Sequence, residues 1–182
     1  MSRKREYKFI KRNIRYPRIR VFVNHVEVIA SDAETADMAY RANIHKIRAK
    51  QRLLKEKYER IKEMAKDIEA IESMSLEEFK EYVNARVKEY GAILGVKPNK
   101  VLFRLMRTRW GSKSGKNNIT INTLLRYMPH HLIDYVVFHE LLHFIYPRHT
   151  QRFWRVLESV FGDIEKIHEE LAAYQMKLQA KK

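Results

Sequence analysis

The period of the apolar positions changes along the chain. In residues 6–29 they form short alternating runs: Tyr7-Lys8-Phe9-Ile10, Ile19-Arg20-Val21-Phe22-Val23 and Val26-Glu27-Val28-Ile29. A period of two in aromatic and β-branched residues predicts two or three antiparallel strands, with Asn24-His25 as a turn. From Ser31 the pattern becomes helical. Ser31-Asp32-Ala33-Glu34 has the form of a capping box, and no Gly or Pro follows until Gly91, so a long uninterrupted helix is expected. Tyr40, Ile44, Ile47, Gln51, Leu54, Tyr58, Ile61, Ala65 and Ile68 recur at steps of four and three, a heptad stripe. Ser75-Leu76-Glu77-Glu78 repeats the capping form and opens a second stripe at Leu76, Phe79, Val83, Val87, Tyr90 and Leu94, ending at Gly95. Two such stripes can zip together as a helical hairpin within one chain. The alternative is dimerisation through the first stripe, and a monomer is favoured.

After Pro98, Val101-Leu102-Phe103-Arg104-Leu105-Met106 and Asn118-Ile119-Thr120-Ile121-Asn122 read as two strands joined by the loop Trp110-Gly111-Ser112-Lys113-Ser114-Gly115-Lys116. Residues 132–145 are apolar nearly all round, which predicts a buried helix. Pro129 suits its first turn and Pro147 ends it, placing the helix from there to about Ile145. Two more helices follow, from Thr150 to near Gly162 and from Asp163 almost to the end. The predicted class is α+β: a small antiparallel sheet packed on one buried helix, with a long helical hairpin in the N-terminal half. The predicted segments are N-terminal strands over 1–30, the two helices over 31–96, and the core over 97–182.

Composition narrows this picture. A chain of 182 residues, 45% hydrophobic, can bury one sizeable core. No run of about 18 apolar residues and no signal-peptide pattern is present, so an intracellular, cytoplasmic protein with no membrane partner is expected. With no cysteine, any metal must be held by histidine and carboxylate, which argues against a zinc finger. The net charge is +15, and residues 1–66 hold 19 Lys/Arg against 8 Asp/Glu, or +11 of it. Such a skew admits an anionic partner, nucleic acid being the usual one, or a plain solvated surface.

The buried helix carries the chemistry. His139 and His143 are four apart in His139-Glu140-Leu141-Leu142-His143, so both lie on one helix face and can share one metal ion. Glu140, about 100 degrees round the helix, can reach a water on that metal without being a ligand. Unpartnered histidine and glutamate on so apolar a helix would be costly, and a shared metal satisfies all three. Zinc needs a third protein ligand. His149, just past the break at Pro147, is favoured, with Glu158 on the following helix as the alternative. The His143-to-His149 interval also occurs in the metzincin pattern, but Tyr146 stands where that pattern has glycine. Glu140 would then be the general base of a peptide hydrolysis. Tyr146, Arg152 and Tyr135 are candidates for stabilising the oxyanion, and Asp134 is a candidate either for partner to a histidine N–H or for a cap or ion-pair residue. If the strand at 118–122 is an edge strand beside the cleft, an extended peptide could add to it.

Thr108-Arg109-Trp110-Gly111-Ser112, Ile133-Asp134-Tyr135-Val136-Val137-Phe138-His139-Glu140-Leu141-Leu142-His143 and His149-Thr150-Gln151-Arg152-Phe153-Trp154 together resemble the YgjP-like zinc metallopeptidase family, related to the SprT-like proteases. The resemblance is close in the C-terminal half and extends to the N-terminal half only in the order of elements. It implies zinc (Zn2+) at His139, His143 and His149 and a catalytic Glu140, a reaction class more than a substrate; the strand beside the cleft is what suggests a peptide or unfolded protein as substrate. The sequence departs from the usual pattern at Lys113, where cysteine is common, and at Thr150, where serine is common. The competing function is nucleic-acid binding through the basic first third with the metal site structural, or both together as a DNA-associated protease.

Overall fold

The computed structural model describes residues 5–68 and 73–180. Residues 1–4, 69–72 and 181–182, parts of the three expected segments, lie outside that description. The chain divides into two compact units, Met1–Met64 and Ala65–Lys182.

In the first unit, strands β1 (Lys8–Lys11), β2 (Arg18–Val21) and β3 (Val26–Ala30) form a sheet in the order β1-β3-β2. The sheet is mixed rather than antiparallel: β1 runs parallel to β3, and only β2 is antiparallel to it. The most apolar strand takes the centre, with Val26, Val28, Ile29 and Ala30 all buried, while the lysine- and arginine-bearing strands take the edges. Charged edges discourage pairing with another chain. Helix α1 (Ala33–Ala42) covers one face through Ala36. Its cap is Asp32, not Ser31: the Asp32 carboxylate accepts the Thr35 N–H at 2.7 Å. The expected uninterrupted helix breaks at Asn43, whose side-chain amide donates to the Ala39 carbonyl at 2.9 Å before α2 (Ile44–Asp67) begins. A short polar side chain offers the backbone such an alternative to continuing the helix.

In the second unit, α3 (Leu76–Leu94) opens with the predicted capping box. Ser75 N–H donates to Glu78 Oε2 at 2.8 Å, and Glu78 N–H donates to Ser75 Oγ at 3.2 Å. Gly95 ends the helix at φ 66°, a left-handed conformation that glycine adopts without strain. The stripe of α3 is used within this unit. Phe79, Val83, Val87 and Tyr90 share a core with Ile133, Val137 and Phe138 of α4 (His130–Leu142).

The second sheet also differs from the expected antiparallel pair. β4 (Lys100–Arg104) is parallel to β6 (Asn118–Asn122), and the segment read as a loop contributes β5 (Gly111–Lys113), antiparallel to β6. The order β4-β6-β5 makes β6 central, with Ile119 and Ile121 fully buried, so the expected edge strand is interior and β5 is the edge. A 3-10 turn over Thr123–Tyr127 leads into α4, and α5 (Gln151–Phe161) and α6 (Ile164–Ala180) complete the unit. Among the described residues no helix is long and apolar enough to cross a membrane.

Candidate active site

Helix α4 is the centre of the second unit's core, and its burial is nearly all round, as its sequence predicts. Two polar anchors orient it. Asp134 accepts from Tyr82 Oη at 2.8 Å and from Arg86 Nε at 3.0 Å, tying α4 to α3. Of the two roles expected for Asp134, the structure shows the ion pair, which fastens the helices, rather than the histidine partner. His139 Nδ1 is buried with no hydrogen-bond partner among the described residues.

The helix ends at Leu142, slightly earlier than the sequence suggested, and His143 is its C-cap. His143 Nδ1 lies 3.1 Å from the Tyr146 carbonyl oxygen, which leaves Nε2 as the ring nitrogen that could bind a metal. After Pro147 the chain turns back into α5. Thr150 caps α5 by accepting the Phe153 N–H at 3.4 Å, and this delivers His149 to the site. His149 Nε2 lies 3.0 Å from His139 Nε2, and one ring nitrogen from each of His139, His143 and His149 falls within 4.8 Å of the others. Imidazole nitrogens bound about 2.05 Å from a tetrahedral zinc would be about 3.4 Å apart, so the donor set fits such an ion. Glu158 is exposed on α5 and stands outside this group.

Phe153 supports the three histidines from below. Its buried ring lies 4.9 Å from the His139 ring, 4.9 Å from His143 and 4.8 Å from His149. Trp154 stacks on His149 at 5.2 Å and 20°. Rings packed this closely fix the direction of each nitrogen before a ligand arrives.

Glu140 is buried, with 6% of its surface exposed, and lines the same cleft of about 640 Å³ as the three histidines. Gly111 of β5 makes room for it: a Cβ there would lie 2.6 Å from Glu140 Cγ and 2.7 Å from Oε1. Burial pushes the Glu140 carboxyl up to about 7, opposed by the Arg109 charge and a hydrogen bond from the Lys113 backbone. Burial and the neighbouring imidazoles of His143, His149 and His168 push His139 down to about 3, and burial also lowers His143. Both histidines are thus held neutral, the form in which imidazole binds metal.

The Trp-Gly-Ser segment therefore reaches the site through its backbone, and the lysine at position 113 does not remove it. Of the oxyanion candidates, Tyr135 lines the cleft, whereas Tyr146 and Arg152 do not. Sequence reasoning passed over His168. This α6 residue lines the cleft and lies 2.7 Å from Tyr135 Oη, but no local pattern links it to a histidine 19 residues earlier. It also passed over Asn122, which is 1% exposed and donates to the Met106 and Arg109 carbonyls at 2.8 and 2.9 Å, pinning the approach to β5.

The family model for the YgjP-like metallopeptidase domain matches residues 8–174. The chain belongs to the YgjP-like metallopeptidase family. No curated protein matches it. Among solved structures, the metallopeptidase zymogen of Pyrococcus abyssi abylysin is similar over 53% of this chain and 95% of its own, at 27% identity and a TM-score of 0.45. Metallopeptidases hydrolyse peptide bonds with a metal, and among the described residues His139, His143 and His149 form a group that could hold one.

Proposed function

We propose that this family member is a zinc-dependent endopeptidase in which His139, His143 and His149 hold the metal and Glu140 is the general base. The observation that carries the reading is the convergence of three imidazole nitrogens on a cleft that also contains a buried carboxylate. Zinc, when bound, supplies Lewis acidity toward a water and the scissile carbonyl. The chain's own residues supply the rest. Glu140, in the space left by Gly111, takes the proton of the attacking water and delivers it to the leaving amine. A carboxyl whose proton affinity lies near neutral suits both transfers. The outermost strand β5, whose Gly111, Ser112 and Lys113 line the cleft, offers its backbone to an extended substrate. That favours a locally unfolded protein over a compact one.

A purely structural metal is disfavoured because structural zinc sites are closed by four protein ligands, whereas this three-nitrogen set opens on a cleft. The test combines metal content with cleavage of an unfolded protein. His149→Ala should lose zinc and activity, Glu158→Ala should keep both, and Glu140→Gln should keep zinc and lose cleavage. Loss of zinc from Glu158→Ala with retention in His149→Ala would replace the ligand assignment. Full cleavage by Glu140→Gln would remove the base.

A further inference from the structure

In the first unit the described residues 5–64 contain 16 Lys/Arg and 8 Asp/Glu, a net +8. The sheet register shows where part of that charge is displayed. On β2 the even positions are exposed and the odd ones, Ile19 and Val21, pack toward the core with Val26 and Val28. The alternation extends one residue past the strand, where Phe22 N–H donates to the His25 carbonyl at 2.9 Å, so Arg18, Arg20 and Phe22 form one exposed row, with Phe22 at 39% exposure; Tyr16, in the bend that leads into the strand, is 68% exposed. At about 3.3 Å per residue the row from Arg18 to Phe22 covers about 13 Å. Arg15 places its guanidinium 5.3 Å from the Tyr16 ring, and Phe22 stacks on His25 at 4.4 Å and 5°. Behind the row, Glu27 on β3 lies 3.8 Å from Lys8 and 3.9 Å from Arg20, its neighbours in the register on either side. One carboxylate thus steadies two cations without cancelling both.

An exposed ring is ordinary by itself, but these two flank exposed arginines, the pairing of aromatic faces with cations that single-stranded nucleic acid uses. We propose that this row along β2, with Tyr16 in the bend before it, binds single-stranded nucleic acid, with bases stacked on Tyr16 and Phe22 and phosphates paired with Arg18 and Arg20. A duplex hides its base faces and would leave the rings unused, whereas a single strand offers both groups the row needs. The site lies wholly in the first unit and does not depend on the metal cluster.

Fluorescence anisotropy of the whole chain with a labelled oligothymidylate of about 12 nucleotides tests this. Binding should weaken linearly in log K between about 50 and 200 mM salt, and Arg18→Gln with Arg20→Gln should reduce the slope by about 1.4, at about 0.7 per phosphate. Lysine at both positions should restore the slope. Tyr16→Ala and Phe22→Ala should each weaken binding about fivefold or more without changing the slope. Arg48→Gln with Arg52→Gln, on α2, should leave affinity within about twofold. Absence of binding at low salt would overturn the proposal. So would equal affinity for a duplex of the same length, equal affinity for phosphatidylserine vesicles, unaffected binding in the aromatic variants, or an equal loss in the α2 pair.

Discussion

Replacing Glu140 by glutamine separates its chemistry from its cost. Its carboxyl is raised from 4.5 to about 7 by burial. In metal-free protein the folded state therefore holds this proton more tightly than the unfolded chain between those values. The folded state gains stability as pH falls through that window and loses it as pH rises. Linkage puts the penalty of the buried carboxyl at about 3 kcal/mol at pH 8 and under about 1 kcal/mol at pH 5. Glutamine removes the ionisation and adds only a pH-independent difference. In chelator-treated protein Glu140→Gln should therefore gain about 2.5 kcal/mol relative to wild type on going from pH 5 to pH 8. His139, pushed down to about 3, loses stability as pH falls below about 6.5 and so slopes the opposite way, but it is present in both proteins and cancels in the comparison. Urea unfolding at the two pH values, followed by tryptophan fluorescence, provides the assay. Both tryptophans, Trp110 and Trp154, lie in the unit that carries the site. An identical wild-type-to-variant difference at both pH values would refute the burial argument.

Three further perturbations address how the site is held. Gly111→Ala should retain zinc yet lower cleavage about 100-fold, because its methyl would push the Glu140 side chain aside and a displacement near 1 Å costs about that much; a less than twofold change would show that Glu140 moves without consequence. Asp134→Ala should destabilise the second unit by about 2 kcal/mol, leaving the half-buried Arg86 guanidinium with only the exposed Glu89 as carboxylate partner and Tyr82 Oη without its acceptor, and a urea midpoint equal to wild type would refute it. Asn122→Ala should cost about 3 kcal/mol by orphaning the Met106 and Arg109 carbonyls, and should also lower activity by loosening the approach to β5; unfolding curves and cleavage rates measure the two effects.

Local chemistry was legible in the sequence wherever it acts within a few residues. The capping box at Ser75, the end of α3 at Gly95, the cap at Thr150 and the burial of the helix bearing His139 and His143 all depend on neighbours along the chain, and each stands where it was expected. At Asn43 two local preferences competed, and periodicity did not register a side chain that satisfies the backbone. The pair His139 and His143 with Glu140 could be read because helical geometry alone sets their relation. Strand partners were not legible, since pairing is a contest among all strands: the most apolar strand, β3, took the centre of the first sheet, but in the second β6 took it from the more apolar β4, and the remaining edge was left to a three-residue strand hidden in a glycine-containing loop. Tertiary structure alone decided that β5 lies against Glu140, that α3 packs on the helix of the motif, and that His168 meets Tyr135 in the cleft. These contacts join residues far apart in the chain, and burial chooses them only when the whole core assembles.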